Sequence, residues 1–115
     1  PNATNGEVLH GNYNGFSGNM SIPLEGLIAG ISSATLLEYR PGCRLDVDNI
    51  TKADWTNVSH ESDAIIAYMG LAPMLEGEEG EAISSPGEGD RIALDLPKNQ
   101  IEYLKKQRSY GTKPI

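Results

Sequence analysis

The sequence predicts an α/β fold built on a mostly parallel sheet that is incomplete at both ends. Two apolar segments of strand length, residues 35–39 and 63–70, alternate with helical patterns over residues 22–32 and from Asp95 onward, and such alternation marks βαβ units. Residues 63–70 also form an unbroken apolar run around Ile65-Ile66-Ala67, as a strand shows when both of its faces are covered. Finally, the chain opens at Pro1-Asn2 without Met and stops at Lys113-Pro114-Ile115, where a further strand would begin. The sequence therefore reads as a piece of something longer, with a sheet short of partners.

Each element has a local reason. Residues 1–19 are rich in Asn and Gly and read as a loop with one short extended stretch at Val8-Leu9. Ser21 is the expected N-cap of the first helix, Pro23 is tolerated in its first turn, and Leu24, Leu27, Ile28 and Ile31 recur at helical spacing. Thr35-Leu36-Leu37-Glu38-Tyr39 reads as a strand closed by the turn signal Pro41-Gly42. A short helix is expected within residues 51–60, on Ala53, Trp55 and Val58. Asp95 is the expected cap of the last helix, with Pro97 in its first turn, Ile101 and Leu104 on one face, basic residues in its last turn and Gly111 as its stop.

Composition removes several classes of function. The 115 residues leave room for one domain, residues 1–115, with a modest core. A formal charge of -7 argues against nucleic acid, because neutralising phosphates requires clustered Lys and Arg. No membrane span is expected, since the longest apolar run, residues 64–75, is broken by Gly70 and Pro73 and falls short of the ~20 residues that a bilayer requires. No basic and apolar leader opens the chain. The single Cys43 cannot close an intrachain disulfide.

The most chemically loaded segment is Glu76-Gly77-Glu78-Glu79-Gly80-Glu81 with Glu88 and Asp90 beyond it. It follows the carboxyl end of the expected strand at 63–70, the place where open parallel sheets put ligands. Carboxylates crowded there would repel one another and raise at least one pKa, as a general acid near neutral pH needs. By composition alone, the same residues also describe a solvated surface loop.

Other constellations lack support. Asp46-x-Asp48 opens like a calcium loop, yet Ile50 and Thr51 occupy positions that want an oxygen ligand and Gly. His10, His60 and Cys43 have no metal-ligand spacing, and no phosphate-binding glycine motif follows a strand. No metal and no cofactor is expected. Trp55, Tyr13 and Phe16 present aromatic faces that read either as stacking surfaces for a ligand ring or as core or interface packing. Asn2, Asn19, Asn49 and Asn57 open formal glycosylation sequons, which an Asn-rich chain produces by chance.

Ser62 to Leu71, followed by Leu75-Glu76-Gly77-Glu78-Glu79-Gly80 and by Gly89-Asp90-Arg91-Ile92-Ala93-Leu94-Asp95-Leu96-Pro97-Lys98-Asn99-Gln100, resembles the second domain of family 3 glycoside hydrolases. Gly11-Asn12-Tyr13-Asn14-Gly15 and Pro23-Leu24-Glu25-Gly26 are similar to earlier stretches of the same domain, so the resemblance covers nearly the whole chain. It implies a partial three-layer αβα sandwich and a retaining β-glucosidase or β-xylosidase. A (β/α)8 barrel of the same parent chain, absent here, would carry the Asp nucleophile, and this domain would lend a loop bearing the acid/base Glu. Glu78 takes the second position of the paired-Glu pattern of xylosidase-like members, with Glu76 next. Glu88 competes, because Gly87-Glu88-Gly89-Asp90-Arg91 mimics the family's short pattern with one residue missing. Asp90 and Arg91 match its final pair and are expected to contact the sugar.

The resemblance also implies a β-glycoside substrate, a secreted or periplasmic location, and no hydrolysis by these residues alone. Unpaired edges predict self-association. The rival reading is a stand-alone αβα binding or regulatory module whose acidic loop holds a divalent cation, and it requires a complete sheet within the chain.

Overall fold

The helical patterns are the part of the sequence that the fold realises most directly. The computed structural model describes residues 1–11, 15, 17–46, 59, 61–76, 94–111 and 115. Helix α1 spans Pro23–Gly30, with Pro23 at the first position, where its missing N–H is not needed. Its cap is Ile22 and not the expected Ser21: the Glu25 carboxylate reaches back to accept the Ile22 N–H at 3.2 Å. An acidic side chain one turn inside the helix thus replaces a hydroxyl in front of it. The helix ends where Ile31 turns extended, and none of its residues is buried.

Helix α2, Pro73–Glu76, is a single turn opened by the Leu75 N–H to the Ala72 carbonyl at 2.8 Å. Helix α3, Lys98–Ser109, is the longest element described. Pro97 itself is the cap, so Asp95 lies just outside the helix, and the Gln100 and Ile101 N–H groups both reach the Pro97 carbonyl. Lys106 and Arg108 sit in the last turn, where a cation favours the helix dipole, and Gly111 at φ 82° supplies the left-handed exit. The buried face of α3 is polar. Asn99, Gln100, Tyr103 and Gln107 are buried, whereas Ile101 and Leu104, the expected apolar face, are only partly covered.

The partial three-layer αβα sandwich with a mostly parallel sheet is not formed among the described residues. Among the described residues there is no strand, and the only ladder feature is a lone bridge at Ile65. The reason lies in what pairs with residues 64–70. Ile115 donates to the Ile65 carbonyl at 2.8 Å and accepts the Ala67 N–H at 2.9 Å, Asn2 donates its N–H to Tyr68 at 3.1 Å, and Gly70 pairs with a side chain. These are three unlike partners in succession, and β-propensity does not make a strand without a ladder to join. Nor are both faces covered: none of residues 64–70 is fully buried, and Ile66 is 46% exposed. Residues 35–39 likewise form no strand. A turn closes from the Thr35 N–H to the Ser32 carbonyl at 2.9 Å, and Leu36 projects into solvent. Of the helix expected within residues 51–60, only Ser59 is described, and it is helical.

The apolar interior comprises Cys43, Ala72, Leu75 and Tyr103, with Asn2, Asn99, Gln100 and Gln107 buried beside them. Tyr103 lies over the turn at Gly42 (φ 75°), where a Cβ would come within 3.0 Å of the ring Cζ and hydroxyl. Among the described residues, half of those buried are polar, and Asn99 and Gln100 hydrogen-bond to backbone carbonyls there.

Candidate functional site

The acidic stretch is built outward from residues 68–76. Gly70 adopts φ 130°, a conformation reserved for glycine, at the point where the chain leaves its extended course. Both of its backbone groups are engaged by one side chain. The Gly70 N–H donates to Gln100 Oε1 at 2.9 Å, and Gln100 Nε2 donates to the Gly70 carbonyl at 2.7 Å. The second Nε2 hydrogen goes to the Leu45 carbonyl at 2.7 Å, and neighbouring Asn99 donates to Arg44 at 2.7 Å. On the other flank Asn2 Nδ2 donates to the Leu71 carbonyl at 3.4 Å. Ala72 and Leu75 are then buried, 2% and 1% exposed, and seat α2 so that its last residue, Glu76, opens the acidic stretch.

Glu78, Glu88, Asp90 and Arg91 lie outside the described residues, and of Glu76 only the backbone position at the end of α2 is described. The described chain resumes at Leu94, fully exposed, and enters α3 four residues later. The structure therefore fixes the base of the stretch: the described limbs at residues 71–76 and 94–99 are joined by the Gly70–Gln100 pairing. Trp55, Tyr13, Phe16 and His60 also lie outside the described residues.

Titratable groups near this base include the Pro1 amine, lowered by burial, together with Cys43 and Tyr103. Burial pushes the Cys43 thiol above its ordinary value. Burial likewise raises Tyr103; contacts with Gln107 and Ser59 pull it partly back, and the neighbouring Cys43 adds to the rise. Both stay neutral at physiological pH. Among the described residues no group of three His, Cys, Asp or Glu side chains could hold a metal ion, and no helix is long and apolar enough to cross a membrane.

Along its whole length the chain is 27% identical, over 115 residues, to Beta-D-xylosidase 3 of Arabidopsis thaliana. It is 27% identical over 116 aligned positions to Beta-xylosidase/alpha-L-arabinofuranosidase 1 of Medicago sativa subsp. varia. The chain is related to plant glycoside hydrolases. It covers 13% of the length of each of these two relatives. No family model and no solved structure matches it.

The residues that organise the base, Gln100, Asn99 and Asn2, carry no role in the sequence reading, although Asn99 and Gln100 fall within the segment that carries the resemblance. A signal was present. Asn99, Tyr103 and Gln107 are spaced by four residues, with Gln100 alongside, so the polar residues of α3 share one face. A polar stripe with that period is a candidate for buried hydrogen bonding.

Proposed function

We propose that the chain is part of the second domain of a family 3 glycoside hydrolase that removes terminal β-linked sugars, of the β-xylosidase or arabinofuranosidase kind. One observation carries this reading: similarity along the entire chain to two proteins whose names are β-xylosidases. In this reading the acidic stretch reaches an active site whose nucleophile lies on a barrel domain elsewhere in the polypeptide. A retaining hydrolase needs two carboxyl groups ~5–5.5 Å apart with unlike pKa values. Glu78, or Glu76 or Glu88 in its place, protonates the leaving glycosidic oxygen and later takes a proton from the incoming water. The neighbouring carboxylates hold the proton on that Glu near neutral pH by repelling a further negative charge. Asp90 accepts and Arg91 donates hydrogen bonds to the hydroxyls of the sugar.

The test uses the full-length polypeptide and aryl β-xylosides with good and poor leaving groups. Loss of the acid/base Glu, as in Glu78→Gln, lowers kcat/KM for the poor leaving group about 10²–10⁴-fold and spares kcat/KM for the activated substrate, whose departure needs no proton. Glu76→Gln and Glu88→Gln compared in the same assay assign the residue. Equal damage to both substrates in all three variants, or turnover by the 115-residue chain alone, contradicts the proposal.

A further inference from the structure

We propose that Gln100 is a positioning residue for the catalytic glutamate, acting through the backbone of Gly70. The inference rests on the glycosidase reading above and extends it to a side chain far from the acidic residues in sequence. Gln100 is wholly buried. Its amide spends both hydrogens and its oxygen on backbone: Gly70 N–H to Oε1 at 2.9 Å, and Nε2 to the carbonyls of Gly70 at 2.7 Å and Leu45 at 2.7 Å. The two bonds to Gly70 reproduce what a neighbouring strand would make, and no strand is there among the described residues. The side chain of α3 therefore takes the place of a sheet.

Its position gives that substitution a consequence. At φ 130° Gly70 has no side-chain constraint of its own, so its neighbours set the direction in which the chain departs. Six residues later the chain reaches Glu76, and between them only Ala72 and Leu75 are buried anchors. The returning limb, from Leu94 through Pro97, enters the same helix that carries Gln100. One amide thus fixes the outgoing limb to the returning one, and through Leu45 to the turn at residues 42–45. Asn99, donating to Arg44 at 2.7 Å, makes that turn the second fixed point. A shift at Gly70 moves the point from which the chain departs toward Glu76, and in the glycosidase reading that changes the reach of the proton donor.

The test compares wild type with Gln100→Met, which keeps length and loses all three bonds, and Gln100→Glu, which keeps the acceptor for Gly70 N–H and loses the donors. In the full-length polypeptide, kcat/KM is measured for a phenyl and a dinitrophenyl β-xyloside on the same sample. A lower folded fraction cancels in the ratio of the two. A displaced proton donor lowers the phenyl-to-dinitrophenyl ratio, and misplacement by about 1 Å predicts a fall of about 10- to 100-fold in both variants. Hydrogen exchange of the peptide spanning residues 65–75 is read in parallel, and the proposal expects faster exchange at Gly70 in Gln100→Met, where the N–H loses its acceptor, and less change in Gln100→Glu, which keeps it. Faster exchange in Gln100→Met with an unchanged ratio overturns the positioning role, leaving Gln100 purely structural. Unchanged exchange in Gln100→Met overturns the hydrogen-bonding basis itself. A wild-type enzyme without turnover of any aryl glycoside overturns the glycosidase reading and the positioning role together, and exchange then separately decides whether Gln100 holds Gly70.

Discussion

Replacing Gly42 by Ala tests the turn on which the base of the acidic stretch rests. Gly42 has φ 75°, and a left-handed backbone costs an L-residue about 1–2 kcal/mol. The new methyl would also stand 3.0 Å from Cζ and from the hydroxyl of Tyr103, a side chain only 8% exposed and unable to swing clear. Overpacking of this kind costs about 1–3 kcal/mol, so Gly42→Ala is expected to lose about 2–5 kcal/mol in total. Gly111 supplies the control, because its φ of 82° carries the same backbone penalty while nothing lies within 4 Å of its Cβ position. Gly111→Ala should therefore cost only about 1–2 kcal/mol. Urea denaturation followed by far-UV circular dichroism measures both. Gly42→Ala should unfold at a clearly lower midpoint with unchanged slope. Equal midpoints for the two variants would refute the contact between Tyr103 and the turn at Gly42.

Three further outcomes follow from the same packing. Leu75→Ala removes a side chain that is 1% exposed and should destabilise the protein by about 2–4 kcal/mol in the same urea assay, with α2 loosening first by hydrogen exchange. Cys43, 5% exposed and with its thiol pKa raised by burial, should resist alkylation at pH 8 in the native protein and react fully in denaturant. The alkaline limb of stability has a definite sign. Cys43 and Tyr103 are raised in the fold from ordinary values of 9.0 and 10.0, so the unfolded chain loses those protons first. Their stabilisation is full below about pH 9 and is lost as pH climbs past each ordinary value toward the raised one. The melting temperature should fall from pH 9 to 11, and Tyr103→Phe should flatten the upper part of that decline.

The helices were legible in the sequence because their signals are local. Pro23 and the leucine and isoleucine spacing place α1, and Pro97 and Gly111 bracket α3. Boundaries shifted where a side chain took over a cap: Glu25 serves Ile22 in place of Ser21, and Pro97 serves in place of Asp95. The sheet was misread because an apolar run such as 63–70 reports a preference for extended backbone and says nothing of its partners. Those partners are a backbone N–H at Asn2, the residue Ile115 and the Gln100 amide, none of them visible to periodicity. The buried face of α3 was inverted for a related reason: Ile101 and Leu104 satisfy an apolar pattern, yet the carbonyls of Arg44, Leu45 and Gly70 needed donors, and Asn99 and Gln100 supply them. For the site, the sequence singled out the acidic stretch as a candidate, its residues from Gly77 to Asp90 lie outside the described ones, and the structure adds how the described limbs on either side of it are tied together.

That a glutamate of this stretch carries the proton in a retaining hydrolysis is tested most directly by product analysis in azide. The full-length Glu78→Gln, Glu76→Gln and Glu88→Gln variants are incubated with dinitrophenyl β-xyloside and sodium azide. The variant lacking the acid/base group releases its glycosyl-enzyme slowly to water, whereas azide attacks without needing a base. One of the three should therefore recover turnover with azide and accumulate β-xylosyl azide. If none forms the azide adduct while wild type hydrolyses the substrate, the proton donor lies elsewhere.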